Sequence, residues 1–129
     1  MNTFENNAYF WQKIDTLTFS SHFVLSQSKG SSHPTYHNLV YPLDYGYLKD
    51  TLSADANGIA MYKGSLSTSM VNACVIAADI LKKDIEIKLL LGCTPSEEED
   101  ILRFLNQTEF QKTVLIRRAN TVPTWAMND

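Results

Sequence analysis

Residues 71–80 read Val-Asn-Ala-Cys-Val-Ile-Ala-Ala-Asp-Ile, an almost continuously apolar run. It is far shorter than the roughly 20 residues a membrane-spanning helix needs. A run of this length and composition fits a strand buried on both faces. The segment that follows, residues 85–91, alternates. It places Glu86 and Lys88 on one strand face and Ile85, Ile87 and Leu89 on the other, and the apolar neighbours set which face is buried. Then comes Thr94-Pro95-Ser96-Glu97. The threonine can cap a helix, proline suits the first helical position, and the glutamate completes a capping box. The helix so begun is predicted to run to about Asn106 and to bury Ile101, Leu102 and Leu105.

The remaining segments are short. Residues 4–18 carry Phe10, Trp11, Ile14 and Leu17 at helical spacing, which predicts a short amphipathic N-terminal helix. Residues 22–27, 59–62 and 113–116 read as further strands. Residues 28–38 form a Ser/Gly/His/Pro loop in which Gly30 takes a turn conformation. Pro42 argues against a central strand in residues 39–48, so an irregular extended segment is expected there. Residues 1–8 and 119–129 read as peripheral. Short strands with one or two helices point to a mainly β (α+β) protein, a small β-barrel with a packed helix.

A chain of 129 residues with 44% hydrophobic content matches one compact domain spanning residues 1–129. Its net charge of −3, with no basic cluster, argues against a nucleic-acid partner. Cys74 and Cys93 lie in apolar runs without metal-type spacing and read as reduced core cysteines. The N-terminal residues lack the charged and apolar regions of a signal peptide. A cytoplasmic protein with no membrane partner is the expectation.

The segment Gly30-Ser31-Ser32-His33-Pro34 is followed by Tyr41-Pro42-Leu43-Asp44-Tyr45-Gly46-Tyr47 and then by Asp55-Ala56-Asn57-Gly58-Ile59-Ala60. It resembles the active-site segment of the soluble (family I) inorganic pyrophosphatases, where Y-P-x-N/D-Y-G-Y/F leads into D-G-D-x-x-D. The likeness covers most of the chain and is to the short pyrophosphatase-like bacterial proteins. It starts near Phe10-Trp11, takes in His22 to Leu25, Gly64-Ser65 and Asp84 to Thr94, and ends near Arg118. A hairpin that carries charged active-site side chains in the full-length enzymes is missing between Gly30-Ser31 and Tyr41. The resemblance implies a small OB-like, five-stranded antiparallel β-barrel with a C-terminal helix and a short N-terminal helix. It also implies magnesium-dependent hydrolysis of pyrophosphate.

Carried over position by position, the resemblance makes Asp55 the catalytic carboxylate and main magnesium ligand, with Asn57 and Glu86 as further ligands. Tyr45, Lys88 and Lys29 would hold phosphate. The residues themselves admit plainer readings. Asp55 sits among Ser, Ala, Asn and Gly, where aspartate is a common turn former. Glu86 and Lys88 could be the polar face of any strand, and Lys29-Gly30-Ser31 could be only a turn. An amide at position 57 can ligate magnesium but brings no charge, and Ala60, at the third acidic position, brings no ligand at all. Magnesium is therefore expected to be weakly held and hydrolysis of pyrophosphate or a small phosphoanhydride weakened or lost. The competing expectation is a non-catalytic module that keeps the pocket and binds a phosphorylated small molecule, or assembles as a homo-oligomer.

Overall fold

Asn7 and Thr94 start the two α-helices of the described residues, each by accepting backbone N–H groups that the first turn leaves unpaired. In the computed structural model, which describes residues 5–53 and 57–126, Asn7 accepts from Tyr9 and Phe10 and opens α1 (Ala8–Phe19). Thr94 and Glu97 form the expected capping box at the head of α2 (Pro95–Leu105). The strands are β1 (Phe23–Gln27), β2 (Asp44–Leu48), β3 (Ile59–Lys63), β4 (Val71–Asp79), β5 (Asp84–Leu91) and β6 (Gln111–Arg117). No helix among the described residues is long and apolar enough to cross a membrane.

The strands form one open, mixed sheet of six strands in the order β1-β2-β3-β5-β4-β6. The expected five-stranded antiparallel barrel is thereby corrected in number, direction and closure. The sixth strand is β2. Pro42 lies just ahead of Asp44, so its missing N–H withdraws nothing from the ladder. The direction changes because β5 enters between β3 and β4, parallel to β3 and antiparallel to β4. Two antiparallel units, β1-β2-β3 and β5-β4-β6, thus meet along the single parallel pair β3–β5. Closure would need β1 to pair with β6, and these two strands are the edges of the sheet. Helices cover the faces instead.

On one face, α1 packs Trp11 against Leu48, Met61, Val71, Cys74 and Leu89. Trp11 is wholly buried. Truncating such a ring typically costs about 3–5 kcal/mol, which makes it the main tie of α1 to the sheet. On the other face, α2 and residues 39–43 cover Tyr62, Ala73, Val75 and Leu90 with Ile101, Phe104, Leu105, Tyr41 and Leu43. An irregularity of β4 between Val71 and Ala73 frees Asn72 from the alternation. Its side chain accepts from the Cys93 amide and donates to Glu98 of α2, at 2.8 and 2.7 Å.

Gly46 decides how closely β1 and β2 approach. A Cβ there would stand 2.0 Å from the Val24 carbonyl oxygen. The flanking Tyr45 and Tyr47 can therefore both face the α2 side while β1 closes over the backbone between them. Gly30 takes the expected turn conformation, with φ 88°. The C-terminal segment is tied down locally: Thr121 accepts from the Ala8 amide at 2.8 Å, and Pro123 is buried.

Candidate functional site: a buried lysine in an aromatic cavity

Alternation along β5 sends Glu86 and Lys88 to the α2 face, and there they are buried. Each is 7% exposed, whereas Ile85 and Ile87 are 68% and 51% exposed. The strand thus buries its charged face and leaves its apolar one half open, the reverse of what its apolar residues suggest. The reason is cover. Aromatic side chains close over Lys88 on the α2 face, while on the other face α1 packs on Leu89 further along the strand.

Taking an ammonium and a carboxylate out of water costs several kcal/mol per ion unless they are paired and hydrogen-bonded. Both conditions are met. Lys88 Nζ donates to the Glu86 carboxylate and, at 2.9 Å, to the Tyr45 hydroxyl. It also lies 5.0 Å from the centroid of the Tyr45 ring, within cation–π range. Burial by itself would lower the Lys88 pKa. The neighbouring Tyr45 and Glu86, both hydrogen-bonded to the amine, outweigh burial and hold it above the ordinary lysine value. Lys88 is an ammonium at neutral pH, and an ammonium has three donor hydrogens. Two are engaged.

Lys88 borders a cavity of about 330 Å³. Tyr41, Tyr45, Tyr62 and Phe104 form its inner wall, and His33, Tyr36 and Phe110 stand further out. The rings touch in succession. Tyr62 meets Tyr45 at 4.6 Å between centroids, Tyr45 meets Tyr41 at 5.6 Å, and Tyr41 meets Phe104 at 4.9 Å. Beyond them, His33 lies parallel to Tyr41, and Tyr36 contacts both His33 and Phe110. Burial, reinforced by Tyr45, raises the Tyr41 pKa and raises that of Tyr62 well above the ordinary phenol value. Both remain O–H donors. Among the described residues neither hydroxyl has a hydrogen-bonding partner acting on its titration.

His33 Nδ1 accepts from the Thr35 and Tyr36 amides at 3.0 and 3.2 Å. That places the proton of the neutral ring on Nε2. Burial, and then Lys82, lower its pKa and favour this neutral form. Asp79 caps the turn beyond β4 by accepting from the Leu81 and Lys82 amides, and this turn carries Lys82 to the cavity rim.

The residues expected to act together are thus only partly brought together. Lys88, Glu86 and Tyr45 form one hydrogen-bonded group, with Lys88 and Tyr45 on the cavity wall and Glu86 off it. Lys29 is exposed and off this wall, and its backbone N–H donates to Asp44. Asn57 is exposed in the turn before β3, also off the wall. Asp55 lies outside the described residues. Ala60, buried at 3% exposure, stands in register with Lys88 on the neighbouring strand.

The described residues do not by themselves make up a magnesium site; Asp55, the expected main ligand, lies outside them. The Glu86 carboxylate already meets an ammonium, so it offers a dication less than a free carboxylate would. Among the described residues no three His, Cys, Asp or Glu side chains gather as ligands. Sequence reasoning missed Tyr62, Tyr36 and Phe110. For Tyr62 a signal existed, since alternation along 59–62 puts it on the face of Ala60; for Tyr36 and Phe110, in a loop and a turn, no periodicity could have joined them. In comparison with known proteins, no family model and no curated sequence matches the chain.

Proposed function

We propose that this chain is a pyrophosphatase-like module that binds a small phosphorylated anion in the aromatic cavity, with hydrolysis weakened or lost. The observation that carries the reading is Lys88: a buried ammonium on the cavity wall with one donor hydrogen unengaged among the described residues. A phosphoryl oxygen can accept that hydrogen in a charge-assisted bond. Tyr41 and Tyr62 border the same cavity, and their protonated hydroxyls are candidate neutral donors. Glu86 balances the charge of Lys88, so the site selects by hydrogen-bond geometry more than by net field. Titration calorimetry with pyrophosphate and with phosphate tests this. Lys88→Met is expected to weaken binding roughly 10- to 100-fold, the loss of one hydrogen bond to a charged group. Equal binding by wild type and variant, or no binding by either with magnesium present, refutes the reading.

A second reading, magnesium-dependent hydrolysis of pyrophosphate or another small phosphoanhydride, is favoured by the register of β3. Ala60 pairs with Lys88, so the strand that follows the predicted carboxylate loop flanks the cavity lysine. We predict that Ala60→Asp raises magnesium affinity, because it adds an anionic oxygen next to Glu86 and Lys88. Its position is buried, so the gain comes with a stability loss of about 1–3 kcal/mol. Phosphate-release assays with and without magnesium check it. Wild-type turnover at the level of a full-length pyrophosphatase would show that the site is not weakened.

A further inference from the structure

The cavity is larger than a bare phosphate requires and carries rings that a bare phosphate does not need. Its roughly 330 Å³ lies in the range that accommodates organic ligands. Lys88 is buried at the inner end, bonded to Tyr45, whose ring meets the buried Tyr62. Away from it the wall carries the rings of His33, Tyr36 and Phe110 among polar side chains that include Asp79, Lys82 and Gln111. Tyr36 is 40% exposed, yet it is held at 5.2 Å from His33 and 5.7 Å from Phe110. The residues that hold it come from different parts of the fold, the loop before β2 and the turn before β6. Inorganic phosphate has no surface for these rings to meet.

We propose that the ligand is a phosphate ester or phosphoanhydride bearing a planar ring, of the aryl phosphate or nucleotide class. Its phosphoryl group lies toward Lys88 and its ring packs against Tyr36 and Phe110. This rests on the phosphate-binding reading above and adds a preference to it. Ring-on-ring contact is indifferent to the ring's hydrogen-bonding edge, because every such ring presents a π face. His33 adds direction. With Nδ1 engaged by two amides, its Nε2–H is the group left to donate to an acceptor on the ligand.

The test compares phenyl phosphate, methyl phosphate and pyrophosphate by titration calorimetry against the full chain. Phenyl and methyl phosphate carry the same charge and differ in the ring alone. Phenyl phosphate is expected to bind at least roughly fivefold more tightly than methyl phosphate, the low end of what stacking on an aromatic side chain contributes. Tyr36→Leu, and independently Phe110→Leu should either variant fold poorly, is expected to bring the two affinities close to equal. Equal affinities in the wild type overturn the ring preference, and pyrophosphate binding in that case leaves the phosphate reading standing. A preference that survives both substitutions overturns the assigned wall. Binding of none of the three probes overturns the phosphate reading together with this one.

Discussion

Lys88→Ala is expected to destabilise the fold by about 3–5 kcal/mol, the usual effect of leaving one member of a buried ion pair without its partner. Glu86 is 7% exposed, and its carboxylate would lose the ammonium that holds it. Replacing both residues by apolar ones of similar volume, Glu86→Leu with Lys88→Met, is expected to return the stability to within about 1 kcal/mol of wild type. Urea unfolding of the wild type, Glu86→Leu, Lys88→Met and the double variant closes one cycle, with Lys88→Ala measured beside it. A restored double variant that no longer binds pyrophosphate would assign the pair to ligand binding. A double variant as unstable as Lys88→Ala would show that the unpaired carboxylate is not the cause of the loss.

A second large effect is expected on raising the pH. Lys88, Tyr41, Tyr62, Cys74 and Cys93 all titrate above their ordinary values in the folded protein. For each, the folded state keeps a proton that the unfolded chain gives up. Their contributions are therefore complete below the ordinary values and disappear as pH rises toward the folded ones. The cysteines begin the loss. Burial first, and then Glu97 and Glu98, push the Cys93 thiol from 9.0 up to about 12. At about 1.4 kcal/mol per pH unit, Cys93 alone accounts for a loss on the order of 4 kcal/mol across that interval. Urea midpoints between neutral pH and about pH 11 are expected to fall steeply, and Cys93→Ala is expected to delay the fall. A midpoint that stays level through this window would contradict the burial of these groups.

Local features were the most legible part of the fold in the sequence. The Thr94–Glu97 capping box, the apolar run at 71–80 and the apolar face of the N-terminal helix each act within a few residues, and the structure forms all of them. The sheet order was not legible, because the insertion of β5 beside β3 depends on contacts between distant segments. For the same reason the strand at Asp44–Leu48 was hidden. Pro42 disfavours a strand locally, but Gly46 and the tyrosines beside it gain pairing partners only in β1 and β3. At the site, a spacing of two residues sufficed to put Glu86 and Lys88 on one face. The burial of that face required aromatic cover from Tyr41, Tyr45 and Tyr62, which no pattern within β5 encodes.

The parallel pair β3–β5 has a consequence beyond topology. It joins the two antiparallel units of the sheet, and parallel pairing is slightly weaker per residue than the antiparallel pairing on either side. The Lys88–Tyr45 hydrogen bond crosses this junction, from β5 to β2. A ligand gripped by Lys88 on one side and by Tyr45 or Tyr62 on the other would act as a rivet through the seam. Every kilocalorie of its affinity would also oppose the parting of the two halves.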